Sequence, residues 1–197
     1  MRVLSLSDLV LRLPSLAPHP GATRVLAVDG PSGSGKTTLA ARLADVLAAP
    51  VVHLDDIYPG WDGLAAAPGL LVEQVLSPLA AGERARFRRW DWEADRWGET
   101  CYVPTAEVLV VEGVGSAAAA CEPYLAATVW IEAPRALRMR RGIERDGEAY
   151  RPHWERWAAQ ERDLFARDRT RERADVLLDG SGSVPHDPER EVVLLEP

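Results

Sequence analysis

The segment Gly30-Pro31-Ser32-Gly33-Ser34-Gly35-Lys36-Thr37 has the form GxxxxGK[ST], and it constrains the fold more tightly than any other stretch of the chain. A loop of this kind needs a strand that delivers it and a helix that leaves it, because its N–H groups converge on phosphate oxygens only when both ends are held. The flanks comply. Val25-Leu26-Ala27-Val28 reads as a short buried strand, and Thr38 to Leu47 as an amphipathic helix. Lys36 is the only lysine among the 197 residues, and arginine carries the positive charge everywhere else. A compact ammonium suits the β- and γ-phosphates of a nucleoside triphosphate where a planar guanidinium does not. Gly30, Ser32, Gly33, Ser34, Gly35, Lys36, Thr37 and Thr38 are therefore expected to cradle ATP, with the Thr37 hydroxyl on Mg2+.

Further apolar runs read as core strands: Val51-Val52-His53-Leu54, Val108-Leu109-Val110-Val111, Thr128-Val129-Trp130-Ile131 and, within Ala174 to Leu178, a fifth. Near-continuous apolar character marks strands buried on both faces, which is the pattern of parallel sheets. Helices are expected over 3–13, about 70–81, 117–126, Pro134 to about Arg145 and about 152–169. Pro14 to Gly21 reads as a connector and Pro59 to Gly69 as a loop. Arg84 to Trp92 reads as a polar extended ribbon outside the main sheet or a solvated edge strand, and Asp179 to Pro197 as a turn-rich tail or short strand. This alternation calls for an α/β, three-layer P-loop NTPase fold. It comprises a parallel five-stranded sheet with helices on both faces and an arginine-rich helical lid over 135–170, in one domain spanning 1–197.

A formal net charge of −7 argues against nucleic-acid or anionic-membrane binding, both of which need a basic surface. A small polyanion can still bind in a local basic pocket. Cys101 and Cys121 form neither a disulfide framework nor a metal spacing, and the four histidines are scattered. The opening apolar pattern is broken by Asp8 and Arg12, and no run approaches the ~18 residues of a membrane span. A cytoplasmic location is expected, and the oligomeric state is left open.

Three carboxylates stand at strand ends, where ligands bind in open parallel sheets: Asp55, Asp56 and Glu112. Glu112 follows four apolar residues and is expected to hold magnesium or its water shell with Thr37 and Asp55, or else to cap a helix. Asp55 is also expected to orient an alcohol and accept its proton, as phosphoryl transfer requires. Arg138, Arg141 and Arg145 recur at steps of three and four, hence on one helix face. Such a face either stabilises the transferring phosphoryl group or is a solvated, salt-bridged surface. Trp90, Trp92, Trp97, Trp154 and Trp157 either sandwich a flat base or fill gaps beneath a lid.

Taken together these residues resemble the uridine kinase family of P-loop kinases over residues 23–178. GPSGSGKTT matches its loop, and Asp55-Asp56-Ile57-Tyr58 is similar to its D-x-[FY]-Y segment, which implies Asp55 as base and Tyr58 in the acceptor pocket. Arg89-Trp90-Asp91-Trp92 resembles its Y-D-F ribbon and Val111-Glu112-Gly113 its V-E-G strand end. Arg138 to Asp146 resembles its R-x-x-R-x-x-x-R-D lid, and Glu172-Arg173-Ala174-Asp175-Val176 its final Y-A-D-V strand. The resemblance implies Trp90, Asp91, Asp95, Arg96 and Arg138 around the acceptor, with Asp95 standing where the family carries a base-reading histidine. It implies a nucleoside acceptor; another alcohol, such as a sugar acid, a pantothenate-like compound or an antibiotic, and a nucleotide-binding switch are the alternatives.

Overall fold

The computed structural model describes residues 1–13, 23–147 and 151–195, so the connector expected at 14–21 lies outside the described residues. Five parallel strands form the centre of the sheet. They are β2 (Arg24–Asp29), β3 (Val51–His53), β6 (Val108–Glu112), β7 (Leu125–Glu132) and β8 (Val176–Asp179). The remaining sheet strands, β1 (Arg2–Ser5) and β9 (Glu191–Leu194), add antiparallel at one side, so the sheet holds seven strands in the order β1-β9-β8-β7-β2-β6-β3. The expected five are thus its parallel part, and the tail supplies an edge.

Alternation along each central strand builds the layers. Leu26, Val28, Val108 and Val110 point to one face and pack with Leu39 and Leu43 of α2 (Lys36–Leu47) and Leu6 and Leu9 of α1 (Leu6–Leu11). Val25, Ala27, Leu109 and Val111 point to the other face, against Leu64, Leu71, Val75, Trp157 and Leu164. Those last residues come from α3 (Ala67–Leu71), a wide turn over Val72–Leu76, and α6 (Arg151–Asp168), with Leu64 in a short turn before α3. α4 (Ser77–Ala80) follows the wide turn. Pro78 has no N–H and its ring crowds the carbonyl of Gln74, so the helix opens there instead of continuing with regular bonds.

The opening segment is a strand and a six-residue helix, where a single helix over 3–13 was expected; Val3 and Leu4 pair with Val193 and Val192. The expected helix over 117–126 is also absent. Residues 122–124 make one short turn and β7 begins at Leu125, because the backbone of Ala117 and Ala119 is bound to the carboxylates of Asp29 and Asp168. Arg84 to Trp92 does form a ribbon: β4 (Arg86–Asp91) pairs antiparallel with β5 (Arg96–Tyr102), separate from the main sheet. α5 (Arg135–Asp146) starts after Pro134, and α7 (Thr170–Arg173) leads into β8. Among the described residues, no helix is long and apolar enough to cross a membrane.

Candidate active site

β2 lies at the middle of the parallel strands, with β6 on one side and β7 on the other. Its carboxyl end is the switch point of the sheet, where a crevice opens. The phosphate loop starts there, and α2 begins at Lys36. Gly33 has φ 77°, and a Cβ on it would lie 2.4 Å from the Arg138 carbonyl oxygen. Only glycine lets the loop pass so close to α5. The Lys36 ammonium donates to the loop's own Pro31 carbonyl at 3.2 Å, and the Ser34 hydroxyl is buried without a hydrogen-bond partner. A nest of amides at a helix start, an orphaned hydroxyl and a half-engaged ammonium fit a triphosphate.

Register explains the acid beside the loop. Glu112 stands opposite Val28 on one side and His53 on the other. Its buried carboxylate accepts the Thr37 hydroxyl at 3.2 Å and lies 2.6 Å from His53 Nδ1, both at Oε1. The Glu112 hydrogen bond raises the His53 pKa above 6.5 against the opposing effect of burial, and the charges of Asp56 and Asp55 add to the rise. Among the described residues no three His, Cys, Asp or Glu converge as a metal site. Magnesium does not require that, since it keeps waters and takes one or two carboxylates, and the pair Thr37 and Glu112 fits it.

Asp55 sits in a single turn (Leu54–Asp56) directly after β3, with its side chain exposed and its carbonyl accepting the Trp92 indole N–H at 2.9 Å. Asp56 pairs with Arg89 at 3.2 Å. Around Asp55 the aromatic side chains gather. Trp61 stacks flat on His153 at 4.3 Å between centroids and packs on Trp92 at 5.0 Å, and Trp90 meets Trp97 edge-on at 5.0 Å. Asp95, in a left-handed conformation, and Trp90 flank Gly60. Asp91 accepts the amides of Glu93 and Ala94 and stands opposite Arg96, so both residues shape the ribbon's turn. Tyr58, expected in the acceptor pocket, is 1% exposed and donates to the Val114 carbonyl at 2.9 Å. Its ring meets Trp157 edge-on at 4.9 Å.

The three lid arginines separate by role. Arg138 donates to the Ser32 and Ala133 carbonyls at 3.1 and 3.0 Å, which ties it to the loop. Arg141 donates to the Gly180 carbonyl at 2.8 Å. With Arg145 it lines a cavity of about 570 Å³ that runs from Gly33–Thr38 and Arg42 to Asp179, Gly180, His186 and Glu189. The cavity continues from the phosphate loop away from Asp55, so it can take the nucleoside end of a triphosphate.

Sequence reading missed His53, Asp29 and Glu161. His53 was absorbed into an apolar run, although its alignment with an acid on the neighbouring strand depends on register alone. Asp29 ends β2 fully buried and accepts the amides of Gly30, Gly115 and Ala117; burial pushes its carboxyl up to about 6 despite those bonds. Glu161 lies in a helix read only as polar, yet accepts the Ser32 amide at 2.8 Å. Both thiols are unpaired, and burial pushes Cys121 up to about 12 and raises Cys101 as well, so neither is poised for chemistry.

The chain matches no protein-family model. Over 40 residues it is 59% identical to cytidylate kinases from two strains of Nitratidesulfovibrio vulgaris, a match covering 20% of this chain and 17% of theirs. The chain thus spans about a sixth of the length of these curated relatives. A possible uridine kinase from Bacillus stearothermophilus has the same fold, with a TM-score of 0.60 and 24% identity over 86% of this chain and 98% of that one. A protein provisionally assigned as a fructose transport system kinase, from a Silicibacter species, gives a TM-score of 0.54 and 20% identity over 87% and 95% of the two chains. The chain shares its fold with these solved structures.

Proposed function

We propose that this chain transfers the γ-phosphoryl group of ATP to a hydroxyl of a small molecule, with a nucleoside as the favoured acceptor. The observation that carries this reading is the buried Glu112 carboxylate, level with the phosphate loop, on which the Thr37 hydroxyl and His53 converge. Thr37 and Glu112 would hold magnesium. The ion, when bound, would neutralise charge on the phosphates. Lys36 supplies a cation within the loop, and Arg141 and Arg145 add charge from α5. Asp55, exposed beside the aromatic cleft, orients the acceptor hydroxyl and takes its proton. Trp61, Trp92 and His153 offer flat faces to a base.

A sugar or similar alcohol is the second reading, and two observations favour it. The fold likeness to the fructose transport system kinase is one. The other is Asp95, an acid in the place of a base-reading histidine. The deciding experiment supplies γ-labelled ATP and magnesium with a panel of nucleosides, sugars and sugar acids. Label on a nucleoside supports the first reading, and label confined to sugars replaces it with the second. Slow hydrolysis that no acceptor stimulates would point to a nucleotide switch and remove both.

A further inference from the structure

We infer that Glu161 is a positioning residue that latches the arginine lid to the phosphate loop. The inference rests on the kinase reading above and deepens it. Glu161 is 3% exposed on α6, with Oε1 accepting the Ser32 amide at 2.8 Å and Oε2 lying 3.8 Å from Arg138 Nη1. Arg138 in turn donates to the Ser32 carbonyl at 3.1 Å and lies over the Trp154 ring at 5.8 Å. The Ser32 residue is therefore gripped at both of its backbone polar groups, by an acid from α6 on its N–H and a guanidinium from α5 on its carbonyl.

A buried carboxylate is costly unless it is paired, and one beside a triphosphate site also repels the ligand. Its place here makes sense through what it holds. Without the Glu161 charge, Arg138 loses a counter-ion that helps keep a mostly buried guanidinium aimed at the loop. The next residue along the chain points elsewhere: the Gln160 amide donates to the Trp61 carbonyl at 2.8 Å. One turn of α6 thus holds the phosphate loop with Glu161 and the aromatic acceptor-side loop with Gln160. Arg138 belongs to this latch.

Calorimetry of MgATP binding to the wild type, E161Q, R138Q and the double variant tests this, with thermal unfolding of each. Glutamine keeps an acceptor for the Ser32 amide and removes only the charge. E161Q is expected to weaken MgATP about tenfold, the scale of a charge-assisted bond, with little change in Tm. The double variant is expected to lose no more than R138Q alone. Equal or tighter binding by E161Q overturns the latch, since the carboxylate would then be idle or a competitor of phosphate; additive losses overturn it as well. Should E161Q fail to fold, E161D retains the charge and retracts it by one methylene. Amide exchange over 135–146 should then rise while that of β2 stays unchanged, and unaltered exchange over 135–146 counts against the latch. A wild type that binds no MgATP sinks the kinase reading instead, and exchange in E161D then judges the latch alone.

Discussion

Asp55 and His53 lie within three residues of each other, yet the geometry gives them different work. Asp55 is exposed beside the aromatic cluster, whereas His53 touches Glu112 at 2.6 Å. Asp55→Asn keeps the size and removes the basicity. It should lower turnover of the acceptor identified by the label screen by about 10²–10⁴, the usual range for a general base, while MgATP affinity stays within a few-fold. Unchanged turnover removes Asp55 from the chemistry. His53→Ala should act on magnesium instead. If Glu112 holds magnesium as proposed, releasing it from its partner disorders that carboxylate, and loss of such a support costs about 10- to 100-fold in metal affinity. The magnesium concentration for half-maximal turnover should therefore rise, with the rate at saturating magnesium largely restored. A variant with an unaltered magnesium curve would show that His53 only fills space.

At the scale of elements, the cavity beside the phosphate loop depends on how closely the chain after β8 approaches that loop. A Cβ on Gly180 would lie 2.1 Å from the Ser34 carbonyl oxygen, and Gly180 also accepts the Arg141 guanidinium. Gly180→Ala should push the chain after β8 away from the loop. Overpacking of this kind costs about 1–3 kcal/mol, and the loss should fall mainly on ATP affinity. Tripolyphosphate, which has no nucleoside, should bind nearly as before, and equal weakening of both ligands would place the base elsewhere. The phosphate-loop wall of this cavity was legible in the sequence, but the wall after β8 was not, because it is made by loop approach between residues some 145 positions apart. What was legible follows local rules. The loop with its strand and helix, the four other apolar strands and α5 behind Pro134 each announce themselves within a short window. The failures share one cause, which is tertiary contact overriding local pattern. Ala117 to Ala126 has helix-forming composition, but Asp29 and Asp168 capture its first amides. Val3 and Leu4 suit a helix stripe, but β9 offers them an edge to pair with.

For the whole molecule, Asp29 joins the central strand, the phosphate loop and the chain after β6, through the amides of Gly30, Gly115 and Ala117. Burial lifts its carboxyl from 3.8 to about 6, even though these three amides and the charge of Lys36 favour the ionised form. The sign of the consequence follows from proton linkage. Between pH 4 and 6 the folded protein holds a proton here that the unfolded chain has released, so this group's contribution to stability is fully present below about pH 4 and falls as pH rises through 6. The rise from 3.8 to about 6 corresponds to roughly 3 kcal/mol. Other carboxylates titrate over the same range with the opposite sign, so the raw pH profile of unfolding cannot isolate the effect. Comparison with Asp29→Asn can. The variant lacks the proton site, and it is expected to be less stable throughout, since its amide turns one donor toward backbone N–H groups. Denaturant unfolding of both proteins at half-unit steps from pH 4 to 7 should show the difference between them moving in the variant's favour as pH rises, levelling off above pH 6. A constant difference would mean that the bound amides outweigh burial and keep Asp29 ionised across the whole range, and the central strand would then hold a permanent charge at the root of its phosphate loop.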